Sequence, residues 1–289
     1  MAIDIGEFLR TQRYQRSARP AEIVADVASL GTVDKLNEGR ARTWGIFATT
    51  FWVLMVFCGF FGLMIPPLLV GAIFFLVGGI VTTVMKRRHK GVDLIDRRYQ
   101  LIDRLARLVE ADMASDSTLD IDADLGNPAR SDKLAREGEA GHWKVKYYVD
   151  SWLSMQGRFM DGTSFAISMV HHLQKRTRWK RSSSGKLKHK SKEKAKNVAV
   201  VQLRAKPQKY PRLPTLAGAL TQAVQLPHQA RLLMTHIDGH RMTMKVSVND
   251  NWCEDPEGPR GSEVIAMMLL SLYQVLNLAK AIDKRDSAA

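Results

Sequence analysis

From Thr43 to Met85 the chain carries no charged residue, whereas apolar and polar positions alternate or recur at helical spacing on either side of that run. As one helix rising about 1.5 Å per residue, the run would extend roughly 64 Å, about twice the hydrocarbon thickness of a bilayer. Pro66-Pro67 divides it into Trp44 to Met64 and Leu68 to Met85, each close to the ~20 residues a crossing requires, because proline breaks the helical hydrogen-bond ladder. The pattern predicts a two-helix transmembrane hairpin over residues 43–85 with a very short outer turn. Arg40 and Arg42 precede it, Lys86, Arg87, Arg88 and Lys90 follow it, and the turn holds no Lys or Arg. The positive-inside rule then assigns both termini to the cytoplasmic side of the cell membrane, for a spanning or a re-entrant hairpin alike. The first forty residues are mixed in charge and lack the apolar centre of a cleavable signal peptide.

Ahead of the hairpin, the arm at residues 1–42 contains "IDIGEFLRTQRYQR" and "AEIVADVASL", whose apolar spacing predicts short cytoplasmic helices. Behind it, Leu94, Ile95, Ile102, Leu105, Val109 and Met113 form a stripe at helical period, so an amphipathic helix is expected over 92–113. Leu119, Ile121 and Ala123 alternate with Asp120, Asp122 and Asp124, which predicts a strand closed by Gly126-Asn127-Pro128. From His142 the pattern is again of period two. Leu153, Met155 and Phe159 precede Asp161-Gly162, and Phe165, Ile167 and Met169 follow, all at odd positions. A two-residue turn would put these sets on opposite faces, whereas a three-residue loop, Met160 to Gly162 with Gly162 left-handed, unites them.

A second hairpin is expected around Asp238-Gly239, with Met242, Met244, Val246 and Val248 on one face, and a short helix near Leu216 to Gln225. The closing segment predicts a helix over 262–284, capped by Ser262 and packed on the sheet by a face opposite Ser271, Gln274, Asn277 and Lys280. The expected fold is a membrane-anchored α+β protein. Residues 91–289 form a cytoplasmic domain with a mostly antiparallel sheet covered by amphipathic helices, and a basic β-ribbon occupies about residues 171–206.

Charge sharpens this picture at one place. Of 43 Lys and Arg, fifteen lie between His171 and Arg212 against the single acid Glu193, and the rest of the chain balances at 28 of each sign, so this segment accounts for the formal charge of +14. Lysine occupies every second position from Lys186 to Lys196, and in a strand those side chains share one face. Folded across "RSSSGK" onto Lys175, Arg176, Arg178, Lys180 and Arg181, the segment makes a ribbon cationic on both faces at its tip. The eleven residues Lys175, Arg176, Arg178, Lys180, Arg181, Lys186, Lys188, Lys190, Lys192, Lys194 and Lys196 form the candidate anion-binding site. Anionic lipid headgroups are the first partner, nucleic acid the second, and a solvated edge, neutralised by Asp120, Asp122 and Asp124 or guarded by lysine, the bland alternative.

Catalytic chemistry has little foothold. No phosphate-binding GxxxxGK[ST], GxGxxG, HExxH or GxSxG motif occurs. Counted from Asp120, a calcium loop would need glycine at Leu125 and glutamate at Ser131. His236 and His240, facing one another across a three-residue loop, would be half of a metal site, and Cys253 has Glu254 and Asp255 beside it, which oppose a thiolate. The two cysteines, Cys58 and Cys253, offer no disulfide framework. No metal, cofactor or catalytic residue is expected. The predicted function is binding or scaffolding, with a structural subunit of a membrane complex or an enzyme acting on an anionic substrate as alternatives.

Overall fold

The computed structural model describes residues 5–62, 64–65, 67–90, 94–183, 185–249, 252, 254 and 260–286; Pro66 and Cys253 lie outside them. In chain order the elements are α1 (Ile5–Thr11), β1 (Arg13–Ala18), α2 (Pro20–Gly62), α3 (Pro67–Lys90), α4 (Asp96–Glu110), β2 (Leu119–Asp124) and β3 (Leu134–Ala140). There follow β4 (Trp143–Arg158), β5 (Ser164–Arg181), β6 (Leu187–Arg204), α5 (Ala217–Gln222), β7 (Ala230–Asp238), β8 (Arg241–Val248) and α6 (Gly261–Asp286). The protein is α+β with an antiparallel sheet. It divides into a helical unit, residues 5–12 with Ala28–Ile95, and a sheet unit, Arg13–Val27 with the residues from Asp96 onward.

In the helical unit, small residues let α2 and α3 approach closely. A Cβ on Gly78 would lie 2.4 Å from the Phe51 ring, one on Gly71 would touch Cys58, and one on Gly62 would meet Leu69. Trp52 Nε1–H donates to Thr83 Oγ1 at 3.2 Å. Among the described residues, three helices, α2, α3 and α6, are long and apolar enough to cross a membrane. Their most apolar stretches differ in cover: 17% of that of α2 and 11% of that of α3 is buried, against 44% for α6. Phe47, Val53, Val56, Phe60, Val70 and Phe74 are accordingly exposed.

The N-terminal arm departs from the helical expectation. After α1, Gln12 adopts φ +54° and the chain enters β1. Tyr14 and Ala18 are buried while Arg13, Gln15 and Ser17 point the other way, and Arg13 donates to Asp122 at 2.8 Å. Long polar side chains hid this period of two. Pro20 then starts α2, where proline suits the first helical turn. That helix is continuous to Gly62, with no break between the arm and the charge-free run.

The sheet order is β1-β2-β4-β5-β6-β8-β7, with β3 on the same side of β4 as β2. The first hairpin has the expected three-residue loop: Phe159 N–H donates to Thr163 O at 2.9 Å, and Gly162 has φ +87°. Leu153, Met155, Phe165 and Ile167 are all buried, and Phe159 stacks on Phe165 with centroids 4.5 Å apart. A bulge at Trp152 shifts the inward face of β4 from even to odd positions. In the second hairpin Asp238 pairs with Arg241 across Gly239-His240, and Met242, Met244, Val246 and Val248 are buried as expected. His236 pairs with Thr243 and does not face His240, so the three-residue loop proposed for the histidines is corrected to two.

Helix α4 buries Leu101, Ile102, Leu105 and Val109, and α6 buries Ile265, Met268, Leu272, Val275 and Leu276. Helix α4 is shorter than the expected 92–113. Ser262 is not the cap of α6: Glu254 performs that role, its carboxylate accepting Ser262 N–H at 3.0 Å and Oγ–H at 2.6 Å. Burial pushes the Glu254 carboxyl above its ordinary range despite these bonds and Arg104 at 3.4 Å.

A buried ionic group closes one end of the core. Arg98 donates to Asp150 and to the Asp124 carbonyl, both at 2.7 Å, and lies over the Trp152 ring, which stacks on Trp252. Lys133 bridges Asp124 and Asp150 at 2.8 Å each, and Arg130 pairs with Asp124.

Candidate functional site

The two long strands β5 and β6, 18 residues each, pair without interruption from Ser164↔Arg204 to Arg181↔Leu187. Their neighbours are shorter. β4 accompanies β5 only as far as Lys144↔Thr177, and β8 accompanies β6 only from Asn197↔Val248. Beyond those points the pair continues as a ribbon, with the outer edge of Leu187–Lys196 unpaired by any other named strand. Its turn repeats the first hairpin: Ser182 N–H donates to Lys186 O at 2.8 Å, Gly185 N–H to Ser182 O at 2.9 Å, and Gly185 has φ +76°. Glycine takes this left-handed position without the cost a Cβ would impose.

Register sorts the eleven expected residues. Arg176↔Lys192, Arg178↔Lys190 and Lys180↔Lys188 are cations directly opposed, and Gln174↔Lys194 and His172↔Lys196 continue the same face toward the core. The other face carries Lys175↔Glu193, joined at 2.9 Å, then Trp179↔His189 and Arg181↔Leu187. Lys186 lies in the turn and leaves the row. Cations thus lie on both faces but unevenly: the opposed pairs share one face, while the other, with Lys175 and Arg181, presents Trp179 at 69% and Leu187 at 64% exposure, with His189 edge-on to Trp179 at 5.0 Å.

The nearby acids also lie on that second face. Glu137 opposes Lys146 and Glu139 opposes Lys144, and Lys146 in turn opposes Lys175. Asp122 and Asp124 are held by Arg13, Arg130 and Lys133, so these carboxylates do not supply the neutralisation considered for the ribbon. Like charges directly opposed across an antiparallel pair cost a fraction of a kcal/mol each, of the order of the ~0.2–1 kcal/mol that opposite charges gain there. Three successive pairs thus store unfavourable energy that a bound anion would release. His172 feels the same field: partial burial, then Lys196 across the strand, lower its pKa from the ordinary value.

Sequence reasoning missed Trp143. The Arg178 guanidinium lies 4.3 Å from its ring centroid and the Lys192 ammonium 5.8 Å, so the aromatic face anchors two of the candidate cations. Tyr147 and Val149 follow on the same side of β4, exposed at 39% and 41%. The signal in the sequence was the cluster "HWKVKYYV", but only the register connects it to Arg178. His171, next to His172, turns inward and its Nδ1 lies 2.8 Å from Asn197 Oδ1 in the core, so the two adjacent histidines serve different faces. The chain matches no protein-family model, no curated protein and no solved structure.

Proposed function

We propose that this protein is a two-pass membrane protein whose β5–β6 ribbon docks on anionic lipid headgroups, with binding and scaffolding rather than catalysis as its role. In this reading the charge-free part of α2 and helix α3 form a transmembrane hairpin, both termini are cytoplasmic, and the cell membrane is its location. Basic flanks at Arg40, Arg42, Lys86, Arg87 and Arg88 support that orientation.

One observation carries the proposal: beyond the ends of β4 and β8, the ribbon pairs a face of opposed cations with a face bearing exposed Trp179 and Leu187. Cations attract the charged surface, and tryptophan is the side chain that favours the boundary between headgroups and acyl chains. Each Lys or Arg near an anionic leaflet contributes about 1 kcal/mol. Removing three is then expected to weaken binding by about 3 kcal/mol, or roughly two orders of magnitude.

The test uses the full chain in neutral phosphatidylcholine nanodiscs, presented to immobilised vesicles with and without phosphatidylserine and, separately, to nucleic acid. Retention on the anionic vesicles, falling between about 50 and 200 mM salt and lost in Lys188→Gln/Lys190→Gln/Lys192→Gln, is expected. Equal retention on neutral vesicles, or an unaffected variant, refutes the proposal. Retention by nucleic acid alone would transfer the ribbon to a polynucleotide partner.

A further inference from the structure

Away from the ribbon, the helical unit holds an open cleft of about 480 Å3 where the charge-free run meets its basic flanks. One face of α2 lines it through Arg42, Gly45, Ile46, Thr49 and Thr50, and α3 contributes Lys86. The α2 residues recur at four-residue spacing, so they form a furrow along the helix. Gly45 is the notch in that furrow: a Cβ there would lie 3.3 Å from both Cε and Nζ of Lys86, so the ammonium of α3 rests against the backbone of α2. The hydroxyls of Thr49 and Thr50 donate to the carbonyls of Gly45 and Ile46 at 3.0 and 3.1 Å. Their protons are thereby occupied within the helix. The charged donors in the lining are Arg42 and Lys86, and among the described residues no carboxylate lines the cleft.

We infer that this cleft is a binding site for one anionic phospholipid, with the phosphate between Arg42 and Lys86 and the start of an acyl chain along Ile46, Thr49 and Thr50. The inference rests on the hairpin crossing the bilayer and is independent of the ribbon. Its physical basis is that a furrow facing lipid does not stay empty, because an unfilled surface forfeits its dispersion contacts. Some lipid therefore occupies it, and the lining selects which. Arg42 and Lys86 bound the charge-free run at its two ends, at the depth of the phosphates if the run spans the apolar layer. A guanidinium recognises phosphate oxygens in bidentate fashion, and a lysine adds a point charge. A zwitterionic headgroup would bring its own cation against these two, whereas an anionic one brings none. At roughly fivefold per cation, the preference for anionic lipid is on the order of twentyfold.

The experiment reconstitutes the full chain in bilayers of equal phosphatidylglycerol and phosphatidylcholine and identifies by native mass spectrometry the lipid that stays bound after release. Alkaline carbonate extraction is run in parallel. Wild type and the ribbon variant Lys188→Gln/Lys190→Gln/Lys192→Gln should both retain phosphatidylglycerol in at least tenfold excess. Introduced into the ribbon variant, Arg42→Gln/Lys86→Gln should bring the retained lipids to their bulk ratio, while Arg40, Arg87 and Arg88 still hold the orientation. Arg42→Lys/Lys86→Arg should restore the excess, which a merely structural role for the pair would not predict. Bulk-ratio lipid on wild type, or an undiminished excess in the double glutamine variant, overturns the site. Release of the protein by carbonate overturns it together with the hairpin, whereas loss of the excess in the ribbon variant alone reassigns the lipid to the ribbon.

Discussion

The strands β5 and β6 are one continuous ladder with two unlike halves. At the root, Phe165, Ile167 and Met169 on β5 and Ala199, Val201 and Leu203 on β6 are at most 2% exposed, and α6 packs against β6 there. At the tip the same alternation continues, yet Trp179 and Leu187 stand in solvent and the cations face one another. Alternation assigns residues to faces; it does not say whether anything covers those faces. The difference comes from where β4 and β8 stop.

The largest effect belongs to the root. Asp150 opposes His171 across β4 and β5 and holds Arg98 and Lys133, all in the interior. Burial lowers the Arg98 pKa, and Asp150 works against that fall, so the carboxylate is what keeps the charge tolerable. Removing one partner of a buried pair typically costs about 3–5 kcal/mol because the other charge remains without compensation. Asp150→Ala should therefore lower the melting temperature by on the order of 10 °C, at about 2–4 °C per kcal/mol for a domain of this size. Trp179→Ala at the tip should change stability by no more than about 0.5 kcal/mol. Thermal unfolding of both variants, followed by circular dichroism in one detergent, makes the comparison. Equal losses would mean that the tip is packed after all.

Protonation probes the same core with opposite signs. Burial alone would raise the Asp124 pKa, but Lys133, the Gly126 N–H and Arg130 together bring it below the ordinary value. Its stabilisation is therefore complete above the unfolded pKa of about 3.9 and is lost as pH falls through the lower folded value. Glu254 behaves inversely. Its raised folded pKa favours the protonated form, so its contribution is fully present below the unfolded value of about 4.3 and declines as pH rises through the folded one. Against wild type, the melting deficit of Asp124→Asn should be constant from pH 7 to about 4.5 and shrink on further acidification. Glu254→Gln should flatten the decline above pH 4.3. A deficit for Asp124→Asn that grows with acid would contradict the ion-pair account.

What could be read in advance follows from how each element announces itself. The run from Thr43 to Met85, the odd-numbered apolar residues around Asp161-Gly162 and the alternating lysines are self-contained patterns, and they fall on helices α2 and α3, on the β4–β5 hairpin and on β6. Strand β3 gave no sign because none of its residues is buried; an edge strand paired only to β4 needs no apolar alternation. Yet its Glu137 and Glu139 help to decide which face of the ribbon is neutralised. Trp143 and Glu254 were equally hidden, since a cation over a ring and a cap supplied from an earlier loop depend on register and chain return, not on local spacing. The candidate site was thus legible as a set of residues, and its sidedness was not.

The smallest expected effect sharpens that sidedness. His172 stands where root meets tip, opposite Lys196 and in line with Lys194, Lys192 and Lys190. Partial burial and the Lys196 charge hold its pKa below the ordinary His value of about 6.5, so near neutral pH the ring is mostly uncharged. An anion laid along the cationic face would offset the lysine field and favour the imidazolium, moving the titration upward. With histidine ring carbons labelled and His172→Gln used to assign the signal, NMR titration in nanodiscs should show His172 at higher pKa in phosphatidylserine than in phosphatidylcholine. The difference should vanish in Lys188→Gln/Lys190→Gln/Lys192→Gln. Equal His172 pKa values in the two lipids would instead take the cationic face out of the membrane contact.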